Sequence, residues 1–375
     1  MTRLKLALVG CGSIAQRGIL PHLALEDAQE IAEVTAVCDV VAERARETAE
    51  QFGIPAWYDN LGSMLSEAAV DAVLIATPIP YHFENALTAV HAGKHVYIQK
   101  TMTTTTAEAD KLITAAQEAG VKMVAAPGQM LTPVYQKMRT ALQNELIGVP
   151  YWAFASTAFS GHEFESFRAD NPVDPGWYYR LGGGPVYDMA VYSLHTLTGL
   201  LGPAKQVTAM SGIRIPHRTW HGGGATVEMD DNTVLLLNFE GCYAVVGGHF
   251  CQTGRQISWG FTGIYGSTGT VEVTALDGGT AFPAEFVFNN GGGKSAETQD
   301  WLNNPMAENA RFLGQAHAAM PEAHIWAEIR HLITCVVDNK APIASAEHAR
   351  HVIEIIEKGY EAAKSGQTQA LLTRF

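Results

Sequence analysis

No stretch of this chain approaches 18 consecutive apolar residues, so no membrane-spanning helix is expected. Basic residues are in deficit: 25 Lys and Arg stand against 38 Asp and Glu, a formal charge of −13 at pH 7. Nucleic acid needs a basic face, so no nucleic-acid partner is expected, and anionic lipid is disfavoured on the same ground. Cysteine is scarce. The five present (Cys11, Cys38, Cys242, Cys251, Cys335) are an odd number with no close CxxC pair. They read as buried thiols in a reducing cytoplasm. The N-terminus leaves no room for a signal peptide, because Leu4–Val9 already reads as a core strand. Metal-ligand spacing is thin. His217 and His221 lie four apart, as do Glu347 and His351, but no third ligand converges on either pair, so no metal site is expected. There is no internal repeat.

The 375 residues are more than one ordinary core holds, which predicts two domains. A hydrophobic content of 47% with 17% charged residues is that of a compact soluble protein. Over 1–126, apolar strands (4–9, 34–38, 72–76, 95–98, 122–125) alternate with helical stretches, the pattern of parallel strands joined by helical crossovers. The strands are apolar almost throughout, as expected when both faces of a sheet are covered. From 127 to 375 the pattern changes. A helix at about 131–145 leads into strands at 149–158, 204–214, 224–229 and 233–239 and on to about 288. Asp230-Asp231-Asn232 reads as a turn pairing two of these in an antiparallel hairpin. Helices at about 306–319, 322–339 and 346–364 close the chain, with Gly366 as a stop and the last helix a candidate to pack back on the first domain.

The first strand runs into Gly10-x-Gly12-x-x-Ala15 and then a helix, the context that gives a glycine pattern meaning. Gly10 permits the turn, Gly12 lets backbone approach a pyrophosphate, and Ala15 allows close helix–strand packing. Ser13 and Ile14 sit at the helix N-terminus, whose free N–H groups face the phosphates. The second strand ends in Asp39, placed for the ribose diol of an adenosine. No arginine adjoins it to hold a 2′-phosphate, so NAD is favoured over NADP. Asp39 also reads as a helix N-cap. Thr77-Pro78 ends the next strand at the edge where doubly wound sheets bind ligands. His82, which follows, reads as structural before catalytic.

Lys100 arrives at the end of the 95–98 strand, ahead of the threonines 103–106. A solvated strand-end charge is one reading of it; a lysine held for chemistry is the other. Thr105 and Glu108 fit a capping box for the next helix. In 182–202, three glycines precede Pro185 and a helix in which Asp188, Tyr192 and His195 fall on one face at i, i+4 and i+7. The rest of that helix is mainly apolar. Burying three polar groups there costs several kcal/mol unless something is bonded to them, either an internal cluster or a ligand. Upstream, Trp177, Tyr178 and Tyr179 can stack on a sugar ring, with Arg180 or Arg168 donating to its hydroxyls, or can simply pack in the core.

Taken together and in this order, the glycine pattern, the Thr-Pro turn, the lysine after the fifth strand and the Gly-Gly-Gly…Asp helix make the chain resemble the Gfo/Idh/MocA family over nearly its full length. The resemblance implies an α/β protein: an N-terminal Rossmann domain with a doubly wound parallel sheet, then an α/β domain with a large open, mainly antiparallel sheet. It implies nicotinamide-dependent oxidation of a sugar or polyol hydroxyl. It also implies a homodimer or homotetramer paired through the open sheet. Lys100 is then expected beside the nicotinamide, bonded to the reacting oxygen, with Gln99 and Gln129 nearby. Two departures stand out. The family's Glu-Lys-Pro is here Gln99-Lys100-Thr101, and without the proline a trans Lys100–Thr101 bond is expected. The family's frequent histidine four residues after the aspartate is here Tyr192, which leaves the general base open between Tyr192, Asp188 and His195. A glycosidase with tightly bound, cycling NAD and a non-catalytic nucleotide or sugar sensor are the competing functions.

Overall fold

The computed structural model describes residues 3–167, 174–251, 260–274, 285–289 and 311–375. The described chain forms two compact units. One holds 3–128 and 319–350; the other holds 129–167, the described part of 174–318, and 351–375.

In the first unit six parallel strands lie in the order β3-β2-β1-β4-β5-β6. They are β1 (Leu4–Val9), β2 (Ala32–Cys38), β3 (Ala56–Tyr58), β4 (Ala72–Ile75), β5 (His95–Ile98) and β6 (Met123–Ala125). This is the doubly wound order whose switch point lies between β1 and β4. The central strands are buried on both faces, which is why they read as continuous apolar runs. The Thr106–Ala119 helix begins with the expected capping box: Thr105 accepts from the Glu108 N–H and Glu108 from the Thr105 N–H. The Ala323–Val337 helix packs on β5 and β6.

The second unit is built on an eight-stranded mixed sheet, in the order β15-β14-β13-β7-β12-β11-β8-β16. Its strands are β7 (Pro150–Ser156), β8 (Gln206–Gly212), β11 (Asn232–Phe239), β12 (Cys242–His249), β13 (Phe261–Gly266), β14 (Thr270–Thr274), β15 (Glu285–Asn289) and β16 (Gln369–Ala370). Only β7 and β12 pair in parallel; every other pair is antiparallel. A two-stranded ribbon, β9 (His217–Trp220) with β10 (Gly223–Thr226), stands apart from it.

Two expectations are corrected here. The segment at 224–229 does not form a hairpin with 233–239. β10 pairs with β9, and β11 lies between β8 and β12. Asp230 and Asp231 are not a solvated turn but buried carboxylates. Asp231 accepts from the N–H groups of Arg214 and Ile215, and Asp230 from the Thr233 and Tyr360 hydroxyls. The chain therefore uses these acids to anchor the 213–218 crossover, a demand that outweighs turn propensity. The segment that joins the first unit is 319–350. The first turn of the Ala346–Ser365 helix falls in that segment, where Arg350 donates to Asp110 Oδ1 at 3.1 Å; farther along the helix Gly359 packs against Leu235 of β11, where a Cβ on Gly359 would stand 2.7 Å from the leucine side chain.

Candidate active site

The nucleotide end of the first unit is built around Asp39. Gly10 has φ +94°, and a Cβ there would stand 2.6 Å from the Ala76 carbonyl oxygen, so only glycine fits where β1 leaves the sheet. The next residue, Cys11, donates its N–H to Asp39 Oδ2 at 2.9 Å, and the Val41 N–H donates to Oδ1 at 2.9 Å. The glycine loop is thereby tied to the tip of β2. From Ala15 the chain enters a wide π turn, Ala15–Ile19, whose Arg17 donates to the Ser13 hydroxyl. Asp39 is buried, and Arg44, one turn into the Ala42–Phe52 helix, reaches both its oxygens at 3.2 and 3.3 Å. The absence of an adjacent arginine was a correct reading of 40 and 41, but Arg44 comes back on the helix turn. Five residues of spacing at the first turn of a helix is the signal that identifies it. This loop, with its forced glycine and a carboxylate already held by a loop amide, fits the adenosine end of a dinucleotide.

At the opposite edge, His82 lies between two carbonyls, with Nδ1 2.8 Å from Thr101 O and Nε2 2.7 Å from Thr77 O. Burial pulls its pKa down to about 4, against the pull of the two carbonyls. The ring ties the Thr77-Pro78 turn to the loop after β5, which is the structural role expected of it. The Lys100–Thr101 bond is cis, where trans was expected. The expectation weighed only the local cost of the bond. Thr101 is buried with its carbonyl bonded to His82, and that tertiary setting was outside the sequence reading.

Lys100 itself is half-buried, and its backbone is fixed from behind. Gln99 Oε1 accepts the Lys100 N–H at 3.3 Å, and Gln99 Nε2 donates to the Tyr97 hydroxyl at 2.7 Å. Tyr97 donates to Glu328 Oε2 at 2.6 Å, and the other Glu328 oxygen accepts the Gly128 N–H at 2.6 Å. Gln99 thus faces this buried relay. Burial pushes the Glu328 carboxyl up to about 7, with the Tyr97 and Gly128 donors acting against the shift.

In the second unit Asp188 lies in a π turn, Val186–Ala190, that continues as the Val191–Leu201 helix carrying Tyr192 and His195. All three are buried, as the apolar surroundings implied. Counting 100° per residue does not carry across the wide turn, so the single-face argument holds only from Tyr192 to His195. The close approach of this helix to β12 is marked by Gly248, whose added Cβ would lie 2.8 Å from that of Ala190. Gln129 is buried and donates to Thr196 Oγ1 at 3.3 Å.

The sequence reading missed His162. Its Nε2–H donates to Asp188 Oδ2 at 2.7 Å, and its ring stacks on Tyr178 at 3.4 Å between centroids. Trp177 stacks on Tyr178 in turn at 3.8 Å. A histidine opening the short helix His162–Phe167, 26 positions away from its aspartate, shares no helical period with it, and only the fold reveals the pair. Tyr179 is corrected as a sugar-stacking residue. It is 1% exposed, packs with Met189, Val227 and Phe250, and gives its hydroxyl to Glu163. In the DPGWYYR segment the short helix Pro175–Tyr179 sets neighbouring side chains about 120° apart, so Tyr178 stacks on His162 and Trp177 while Tyr179 enters the core. Arg180 is exposed, and Arg168 lies outside the described residues. Among the described residues no group of three His, Cys, Asp or Glu is arranged to hold a metal, and no helix is long and apolar enough to cross a membrane.

Residues 4–126 match the NAD-binding Rossmann-fold domain of the GFO_IDH_MocA oxidoreductase family, and 135–272 match the GFO/IDH/MocA C-terminal domain. The chain belongs to the Gfo/Idh/MocA family. It is 26% identical to the D-apiose dehydrogenase of Paraburkholderia graminis over 98% of this chain and 90% of that one. It is also 26% identical to the scyllo-inositol 2-dehydrogenase (NADP(+)) IolU of Bacillus subtilis, over 73% of this chain and 76% of the relative. Its fold matches that of the WlbA dehydrogenase of Bordetella pertussis, solved in complex with NADH and UDP-GlcNAcA. The TM-score is 0.81 at 19% identity, over 99% of this chain and 98% of that one.

Proposed function

We propose that this Gfo/Idh/MocA oxidoreductase is an NAD-dependent dehydrogenase of a sugar, polyol or glycoside, oxidising a secondary hydroxyl or the anomeric carbon. The observation that carries this reading is a buried π turn and helix holding Asp188, Tyr192 and His195 in a chain that also carries a complete dinucleotide loop. Ionisable side chains buried on one element cost too much to be kept without partners or a ligand. NAD, held by Gly10, Gly12 and Asp39, supplies the hydride acceptor. The chain supplies the rest: Lys100 is the group to stabilise negative charge on the reacting oxygen, and Tyr192 the group to take the hydroxyl proton. Asp188 accepts a hydrogen bond from the substrate. Partners beyond the substrate are copies of the same chain, paired through the exposed face of the eight-stranded sheet.

The test is a screen of neutral sugars, cyclitols and glycosides for NADH absorbance on addition of NAD. A substrate that reduces NAD stoichiometrically supports the reading. Turnover of a glycoside with no added NAD and no NADH released would replace it with the redox-neutral glycosidase.

A further inference from the structure

The segment that delivers His162 is held more firmly than a surface loop requires. Arg218 of β9, 3% exposed, donates to Glu163 Oε1 at 2.6 Å and to the Ser160 carbonyl at 3.3 Å. Its other terminal nitrogen reaches Asp231 Oδ2 at 3.3 Å and the Phe250 carbonyl at 2.8 Å. Glu163 also takes the Tyr179 hydroxyl, and its own N–H donates back to that hydroxyl at 3.2 Å. A buried arginine between two carboxylates is costly to desolvate and gives little net stability over an apolar replacement. What it does give is a fixed position for residue 163, and so for its neighbour. The His162 ring is then fixed on its remaining sides, by Tyr178 on one face and by the edges of Phe159 and Phe250.

We propose that His162 is a positioning residue of the dehydrogenase, held by the Arg218–Glu163 pair so that it presents Asp188 to the substrate as a fixed, ionised, acceptor-only carboxylate. The inference rests on the reading of Asp188 as a substrate-contacting group. A carboxylate with one oxygen committed to an N–H donor has its plane and its charge set before substrate arrives, and it selects a hydroxyl donor, which points to uncharged sugars and polyols over sugar acids. Among the described residues, the charged and titratable groups around His162 include Asp188 from the π turn, Glu163 on its own turn, Arg218 from β9 with Asp231 behind it, and Tyr178 and Tyr179 from the 175–179 turn. Protonation of the Asp188 carboxylate removes the acceptor, so kcat/KM falls as pH is lowered.

The experiment compares wild type with His162→Gln, which keeps an N–H donor, and His162→Met, which keeps bulk without one. NAD binding and thermal unfolding serve as checks of folding. With a substrate from the screen, His162→Met is expected to lose about 10- to 100-fold in kcat/KM, mostly through KM, and His162→Gln to recover most of it. The acidic limb of the kcat/KM profile, set by the Asp188 carboxylate, is expected to move up in His162→Met, where Asp188 loses its donor, and to stay near its wild-type position in His162→Gln, which restores one. Equal losses in both variants with an unmoved limb would reduce His162 to a packing residue and overturn the proposal. So would wild-type kinetics in both. If His162→Met does not fold, His162→Leu, another side chain without a donor, is compared with His162→Gln in its place. A wild type that fails to reduce NAD with every sugar, cyclitol and glycoside screened is a failure of the dehydrogenase reading, distinct from either result.

Discussion

Asp39 and Arg44 set the cofactor preference against each other. A carboxylate at the tip of β2 accepts ribose hydroxyls and repels a 2′-phosphate, which favours NAD. Arg44, already within 3.3 Å of both Asp39 oxygens, offers that phosphate a cation. NAD is expected to bind more tightly than NADP, by a margin that Arg44 narrows. Titrating the apoprotein at one ionic strength checks this. Asp39→Ala should weaken NAD and erase the preference, and Arg44→Ala should weaken NADP by about tenfold while NAD changes little. Tighter NADP binding by the wild type would reverse the assignment. The chemistry belongs to the same scale. Lys100→Ala and Tyr192→Phe are each expected to cut kcat by about 100-fold or more with NAD affinity nearly unchanged, and His195→Ala to cost less. If Tyr192→Phe stays active while Asp188→Asn or His195→Ala is dead, the proton acceptor is another of the three. A fully active Lys100→Ala would remove the lysine from the site.

Between elements, the buried Glu328 is the clearest lever. From the Ala323–Val337 helix it holds Tyr97 of β5 and the Gly128 amide after β6, so it fixes the two strand ends that flank Lys100. Its folded pKa of about 7 lies above the ordinary carboxyl value of 4.5, so the native state keeps a proton that the unfolded chain has released between those values. Stability from this group is therefore full at low pH, falls as pH rises through that window, and levels off above it, a swing of roughly 3 kcal/mol. Urea unfolding at several pH values should show this slope in the wild type and its loss in Glu328→Gln. Identical pH dependence in both would mean that Glu328 is charged throughout. No local pattern announced this acid, because a lone glutamate in an apolar helix gains its meaning from partners 231 and 200 positions away. The same holds for His162 and Arg218. By contrast the doubly wound sheet, the glycine loop, the Thr105 cap and the burial of the Asp188 helix were legible, since each rests on short-range periodicity or capping chemistry. The 224–239 hairpin failed because buried carboxylates at 230 and 231 look, in sequence, like a polar turn.

Across the molecule, the eight-stranded sheet has one face packed and one exposed. Along β11 burial alternates residue by residue, with Leu235 and Leu237 inward and Val234 and Leu236 outward. The helix carrying Tyr192 packs on the inner side, against β7 and β13. On the outer side Met210 is 77% exposed, Tyr243 55% and Trp152 44%, and the register sets Val234 beside Met210 and Tyr243 beside Trp152. Antiparallel sheets commonly leave one face to water, but that face is then polar; an apolar one of this breadth marks an interaction surface. A two-fold pairing of the face with its copy would bury these side chains with no new partner needed. Light scattering at micromolar concentration is expected to report a dimer or a tetramer. Replacing outward residues on neighbouring strands, Leu236→Asp with Tyr243→Lys, should shift the wild-type mass towards monomer, because each charge would have to be buried across the pair. These side chains point away from the inner face that carries the Tyr192 helix, so NAD binding should survive in the monomer. A wild type already monomeric at that concentration would leave the exposed face to some other partner.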